Sequence, residues 1–267
     1  MEDRVAIIIP IHPPKFDWMR RIANWRSVST TLFLVFTNER EAALFKAFNN
    51  FGLKFTPIIV TQICPQSAID TAFGNSGIVS FKKFVALHHI SEAYAYRYAI
   101  CVDAEIKFVN IDKLLPACQS FCELKTIVAG TNCCPKINAA CLQFFRDDPN
   151  YESIKRYESN YFWFSEIPIY DMEIVPGFFK YIGRTDDWLG IVSQMSYHTF
   201  EYVAYYFYSM LYNGYTLTVL PDHGWSLEQC SAALWKKVNE TICPLHWVWE
   251  KSYDTTMDVV MLYHLDR

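Results

Sequence analysis

Three short apolar runs rich in β-branched residues, Val5–Ile9, Thr31–Phe36 and Phe55–Val60, alternate with segments of helical character. Each run is long enough for one strand, too short for a helix, and apolar at consecutive positions, so both of its faces should be covered. Between them, Phe16–Arg26 reads as a helix, and Glu39–Phe48 as a stronger one. Asn38 is placed to cap the second helix, acids fill its first turn, and Gly52 is expected to close it. This β-α-β-α-β order predicts an α/β fold of Rossmann type, a mostly parallel sheet flanked by helices.

The loop after the first strand, Pro10-Ile11-His12-Pro13-Pro14, contains no glycine. Neither G-x-G-x-x-G nor G-x-x-x-x-G-K-[ST] occurs in the chain, which disfavours a dinucleotide dehydrogenase, a P-loop NTPase and a standard methyltransferase. With 267 residues, 52% of them hydrophobic, the chain can bury a sizeable core. A net charge of −4 without a basic block argues against a nucleic-acid partner held through phosphate contacts. No signal peptide is recognised at Met1-Glu2-Asp3-Arg4, and apolar stretches such as Tyr202–Leu211 are too short to span a membrane. The expected setting is cytoplasmic: the cytosol, or the cytosolic face of a membrane. The nine cysteines show no zinc-knuckle spacing and are expected to be free, buried thiols.

The stretch Tyr98–Val109 holds the chemistry. An apolar run, Tyr98–Val102, delivers Asp103 and Glu105 at i and i+2, and extended residues two apart point the same way. Both acids should therefore face one point beyond the strand, where open α/β sheets bind ligands. Two hard oxygen donors there suit Mg²⁺ or Mn²⁺ carrying a diphosphate. Before this strand, residues 61–80 read as loop, and a helix runs from Ser80 to about Tyr94 with Lys82 and Lys83 in its first turn. Cations are disfavoured there by the macrodipole, so the pair reads either as facing an anionic partner or as a solvated lysine pair.

Further along, Asp112–Cys122 reads as a helix, Thr126–Gly130 as a strand, and residues 131–160 as mixed and polar. The aromatic segment Tyr161–Tyr170 reads as core packing or as a strand on a sugar-accommodating surface, and Pro176–Phe179 ends that region. A helix start at Thr185–Trp188, a helix Thr199–Leu211 with Glu201 in its first turn, a strand Thr216–Leu220 and a loop Pro221–Gly224 follow.

The first half resembles a GT-A fold glycosyltransferase. The resemblance rests on the strand ending in Pro10-Ile11-His12, the second ending in Thr37-Asn38, the helix Phe81–Leu87, and Val102-Asp103-Ala104-Glu105, a D-x-E variant of that family's D-x-D motif. Tyr161–Tyr170 and His198–Tyr205 are similar to a poorly characterised GT-A-like group in which an acid-plus-tyrosine helix start follows an aromatic stretch. The resemblance implies one GT-A-like domain over residues 1–267. Residues 1–110 would form the nucleotide-sugar-binding half, and 111–267 the acceptor side.

It also implies sugar transfer from a nucleoside diphosphate sugar, a UDP-sugar or GDP-sugar, to a glycan or other hydroxyl acceptor. Asp103 and Glu105 would hold Mn²⁺ or Mg²⁺ with Ala104 between them, and Lys82 or Lys83 would lie near the phosphates. Pro10, Ile11, His12, Thr37 and Asn38 would line the nucleotide pocket. Glu201 is the first candidate for a general base and Asp187 the second, each with an alternative as an acid complementing a helix dipole. His246 is the expected third metal ligand, with His223 and His264 as further candidates. Two other classes remain: a nucleotidyltransferase making sugar nucleotides, and a non-catalytic module binding a sugar nucleotide or glycan.

Overall fold

The computed structural model describes residues 2–21, 32–109, 111–130, 135–160, 162, 168–183, 187–220, 245–247 and 260–264. In chain order the first half comprises β1 (Glu2–Pro10), α1 (Phe16–Arg21), β2 (Leu32–Phe36), α2 (Glu39–Phe48), β3 (Thr56–Ile59), α3 (Gln66–Gly74), α4 (Ile78–Ala93), β4 (Tyr96–Cys101) and β5 (Ile106–Val109). The second half adds α5 (Leu114–Leu124), β6 (Thr126–Gly130), α6 (Pro135–Leu142), α7 (Tyr151–Lys155), β7 (Ile169–Asp171), α8 (Val175–Ile182), α9 (Trp188–Ser193), α10 (Glu201–Tyr212) and β8 (Thr216–Leu220). β9 (Leu245–Trp247) and β10 (Val260–His264) complete it.

The central sheet has the order β3-β2-β1-β4-β7, parallel except for β7, which pairs antiparallel with β4. The expected Rossmann-like α/β fold is what forms. β1 and β2 are buried at consecutive positions, so both faces of the sheet are covered, as continuous apolar runs require. The chain moves outward from β1 to β3 and then returns to place β4 on the other side of β1. That reversal makes the carboxyl ends of β1 and β4 the topological switch point, the ligand position in sheets of this kind. A second sheet, β5-β10-β9, grows from the turn after β4, and β6 pairs with β8.

Helix α4 is the structural centre. It packs on β1, β2 and β4 and against α8 and α10. Phe81, Phe84, Val85, Leu87 and Ile90 are all buried, so the helix is apolar around most of its circumference, as a core helix must be. Each fully buried residue of this size stabilises the fold by about 1.5–3 kcal/mol. Such burial leaves Lys82 and Lys83 only 4% and 8% exposed.

Several sequence expectations need correction. Residues 61–80 are not loop: Pro65 precedes α3, whose Ala68, Ile69 and Ala72 are buried at helical spacing, and α4 begins at Ile78. Lys82 and Lys83 therefore lie in its second turn, beyond the N–H groups that the dipole argument concerned. α2 ends at Asn49, which caps it; Gly52 turns the following loop at a positive φ. The segment 131–160 contains α6 and α7. Pro176 and Gly177 lie inside α8, where a proline in the first turn costs no hydrogen bond. Tyr170 on β7 is fully buried and belongs to the core, not to a sugar-facing surface; Tyr161 and residues 163–167 lie outside the described residues.

Other local expectations hold among the described residues. Asn38 caps α2, its side chain accepting from Glu41 N at 3.0 Å, and β6 and β8 have the expected bounds. Cys64, Cys101, Cys118, Cys122 and Cys141 are free and buried.

Candidate active site

The carboxyl ends of β1, β2 and β4 are held in line by hydrogen bonds that continue the parallel ladders: Ile11 N to Val35 O at 3.0 Å and Val102 N to Ile8 O at 3.0 Å. β4 ends at Cys101, and Asp103 and Glu105 sit in a turn closed by Ile106 N donating to Asp103 O at 3.2 Å. The same-side alternation expected of an extended strand therefore does not place them. The turn directs each acid to its own lysine: Lys83 Nζ lies 3.2 Å from Asp103 Oδ1, and Lys15 Nζ lies 3.0 Å from Glu105 Oε1. The two acids still sense each other. Burial raises the Glu105 carboxyl above its ordinary range, its hydrogen bond from Lys15 opposes this, and the Asp103 charge raises it further.

Successive residues of α4 reach opposite sides of β1. Lys82 Nζ donates to Ile11 O at 2.9 Å and to Glu41 Oε2 at 3.3 Å. Glu41 Oε2 also accepts from Thr37 N at 2.7 Å, a variant of the capping box in which the bond returns to the residue before the cap. Lys82 thus ties the ends of β1 and β2 to α2. Lys83 turns the other way, toward β4 and α10. It meets Asp103 and, at 3.5 Å, Glu201 Oε1. Burial alone would lower its pKa, but Asp103 and then Glu201 hold the ammonium charged and above the usual lysine range.

Glu201 is the first residue of α10 and is fully buried. The turn before it is fixed by Ser196 N donating to Thr199 Oγ1 at 2.9 Å, and by Asn75 Nδ2 donating to Val192 O at 3.0 Å and to Met195 O at 2.9 Å. Gly77 lets the α3–α4 turn approach this segment, since a Cβ there would stand 2.9 Å from Asn75 Oδ1 and 3.4 Å from Ser196 O. The Tyr170 hydroxyl donates to Glu201 Oε1 at 3.4 Å, and Glu201 Oε2 has no hydrogen-bond partner among the described residues. Burial raises the Glu201 carboxyl, and Lys83 offsets part of that.

Of the predicted residues, the structure brings Ile11, His12, Thr37, Lys82, Lys83, Asp103, Glu105 and Glu201 into one connected group at the sheet's carboxyl edge. Pro10 ends β1, and Ala104, buried between the two acids, completes their turn. Asp187 is exposed and caps α9, accepting from Gly190 N at 2.8 Å. His246 lies on β9 opposite Met261, while His264 on β10 lies opposite Ile106, the residue after Glu105; only their backbone register is described. His223 lies outside the described residues. Three participants were not singled out from sequence: Lys15, Glu41 and Tyr170. The first two carried signals, a lysine directly after Pro13-Pro14 and an Asn-x-x-Glu capping pattern.

Lys15, Lys82 and Lys83 stand against Glu41, Asp103, Glu105 and Glu201, one more carboxylate than ammonium. Among the described residues no group of three or more His, Cys, Asp or Glu side chains is arranged to hold a metal ion. The donor chemistry of Asp103 and Glu105 fits Mg²⁺ or Mn²⁺ of the kind that takes one or two carboxylates and leaves its other positions to substrate phosphates and water. No described helix is long and apolar enough to cross a membrane.

No protein-family model matches the chain. No curated protein matches it either. Among solved structures it is similar to mannose-1-phosphate geranyltransferase from Thermus thermophilus, with a TM-score of 0.38 and 7% identity over 93% of this chain and 83% of that one.

Proposed function

We propose that this chain is a transferase working on a nucleotide-activated sugar, and that it moves the sugar from a nucleoside diphosphate to a hydroxyl acceptor. The observation that carries this reading is the position of Lys83. Its ammonium is held against Asp103 at the carboxyl edge of β1 and β4, where Glu105, two residues beyond Asp103, meets Lys15 from the 3₁₀ turn after β1. A departing diphosphate is stabilised by preorganised charge at such a place. Asp103 and Glu105 would hold a divalent cation, which supplies charge neutralisation for the leaving diphosphate. Residues 10–12 and Thr37-Asn38, at the tips of β1 and β2, would receive the nucleoside.

A second reading, nucleotidyl transfer to a sugar phosphate, has its own support. An anionic phosphate nucleophile needs no proton acceptor, and the carboxylate nearest Lys83 on the acceptor side, Glu201, is sealed from solvent. The loop after β1 weighs against it. It passes through a single 3₁₀ turn, Pro13–Lys15, directly into α1, and two prolines in succession offer no N–H to a triphosphate.

Thermal shift with uridine and guanosine diphosphate, with and without Mn²⁺, tests the binding reading. Incubation with donor sugars then identifies the reaction by its product. Free nucleoside diphosphate is expected; pyrophosphate released from a nucleoside triphosphate and a sugar phosphate would establish the second reading. Binding with no product from either set would indicate a module without catalysis.

A further inference from the structure

We infer that Glu201 is a positioning residue that acts through Lys83, holding its ammonium at the diphosphate position, and that it is not the group that accepts the acceptor's proton. This rests on the reading just given and assigns a role within the same site.

A proton acceptor must reach the hydroxyl it deprotonates, directly or through one water. Glu201 has 0% of its surface exposed, and its Oε2 contacts neither solvent nor any hydrogen-bonding group among the described residues. Its other oxygen faces inward to Lys83 and the Tyr170 hydroxyl. Around it lie Tyr170 from β7, Cys141 from α6, whose thiol donates to Phe200 O at 3.4 Å, and α10 itself. Among the described residues no path for an acceptor is offered on these sides.

What Glu201 does touch is the buried lysine facing the acid turn. A lysine side chain has four rotatable bonds and a compact, strongly hydrated charge, so by itself it is poorly fixed. Two carboxylates from distant parts of the chain, Asp103 after β4 and Glu201 at the start of α10, fix this one from both sides. Lys83 has three N–H donors and two carboxylate partners, which leaves one donor for an incoming phosphate oxygen. Since Asp103 is itself claimed by the nucleotide's cation in the proposed complex, Glu201 is the partner that keeps Lys83 in place. The unpaired Oε2 reflects a carboxylate placed for Lys83 rather than for its own full solvation.

The test is a double-mutant cycle read by calorimetry with uridine and guanosine diphosphate and the matching nucleosides, Mn²⁺ present. Wild type, Glu201→Gln, Lys83→Met and the double variant are compared. Each single change is expected to weaken the diphosphate by about tenfold or more while leaving the nucleoside unchanged, the scale of a charge-assisted contact. The double variant is expected to be no weaker than Lys83→Met alone. In steady state, Glu201→Gln should raise the donor KM together with a fall in kcat. Either single change can disturb folding by stranding a buried charge; the double variant removes both charges at once and provides the folded comparison, with melting temperature measured for all four. Wild-type diphosphate affinity in Glu201→Gln with kcat alone reduced would overturn the inference and make Glu201 the proton acceptor. Losses that add in the double variant would overturn it as well. If wild type itself binds neither diphosphate, the proposed function fails, and the inference with it, before any variant is made.

Discussion

Lys83 on α4 and Glu201 on α10 are 118 positions apart in sequence, yet Nζ and Oε1 lie 3.5 Å apart with the glutamate closed off from solvent. The neighbouring Lys82 turns to the opposite side of β1 and is engaged by Ile11 O and Glu41. Two adjacent lysines on one buried helix therefore differ in what they can do for a ligand. One braces the sheet edge, and the other faces the acid turn.

That division predicts unequal effects. Lys82→Ala removes a buried brace but leaves Glu41 partly solvated, and should cost about 1–3 kcal/mol of stability. Lys83→Ala strands the fully buried Glu201 and should cost more, about 3–5 kcal/mol, the range for breaking a buried pair. Denaturant unfolding of the two variants gives the order. A larger loss for Lys82→Ala would contradict the geometry.

Asp103→Asn and Glu105→Gln should each preserve the fold while removing the Mn²⁺ dependence of nucleotide binding. Both side chains are partly exposed at a turn, so neither change opens a cavity. Calorimetry with and without Mn²⁺ checks this. Undiminished metal-dependent affinity in both variants would remove the acid pair from the proposed site.

Asp187 lies on the surface at the start of α9, and its carboxylate is engaged with Gly190 N. Asp187→Ala should lower stability by about 1 kcal/mol, the loss of a cap, with transfer activity unchanged. A large fall in kcat at constant melting temperature would return it to candidacy as the proton acceptor.

Asp148 provides a pH prediction away from the site. It accepts the hydroxyls of Tyr181 on α8, at 2.7 Å, and Tyr212 on α10, and so links these helices. Burial acts to raise its carboxyl, but the bonds from Tyr212 and Tyr181 outweigh this and leave it below the ordinary aspartate value. A folded-state pKa below the unfolded one means that the unfolded chain binds the proton first as pH falls. The stability contributed is thus complete above about pH 3.9 and is lost as pH drops through the lower folded value. Replacing both tyrosines by Phe should shallow the acid limb of the stability curve below that pH. Chemical denaturation from about pH 5 to about pH 2 measures it, and an unchanged limb would show that the two hydroxyls do not set the Asp148 proton affinity.

The apolar runs at β1, β2 and β3, alternating with helical segments, were enough to predict a mostly parallel sheet. Consecutive buried β-branched positions are best satisfied by a strand covered on both faces. Local chemistry also made the Asn38 cap and the bounds of β6 and β8 legible, because those depend on neighbours in sequence. Only the tertiary structure decided what the charged residues do. Nothing within a few residues of Lys82 or Lys83 distinguishes them; α4's packing against β1, β2, β4 and α10 assigns their partners. Nor could the sequence show that Asp103 and Glu105 turn to different lysines, since the strand ends at Cys101 and the turn overrides the two-residue period. From sequence Glu201 reads as a candidate general base or as an acid complementing a helix dipole, and its pairing with Lys83 emerges only once α10 is docked on α4. Electrostatic partnership depends on distance in space and on the exclusion of water, and both are set by packing between segments far apart in the chain.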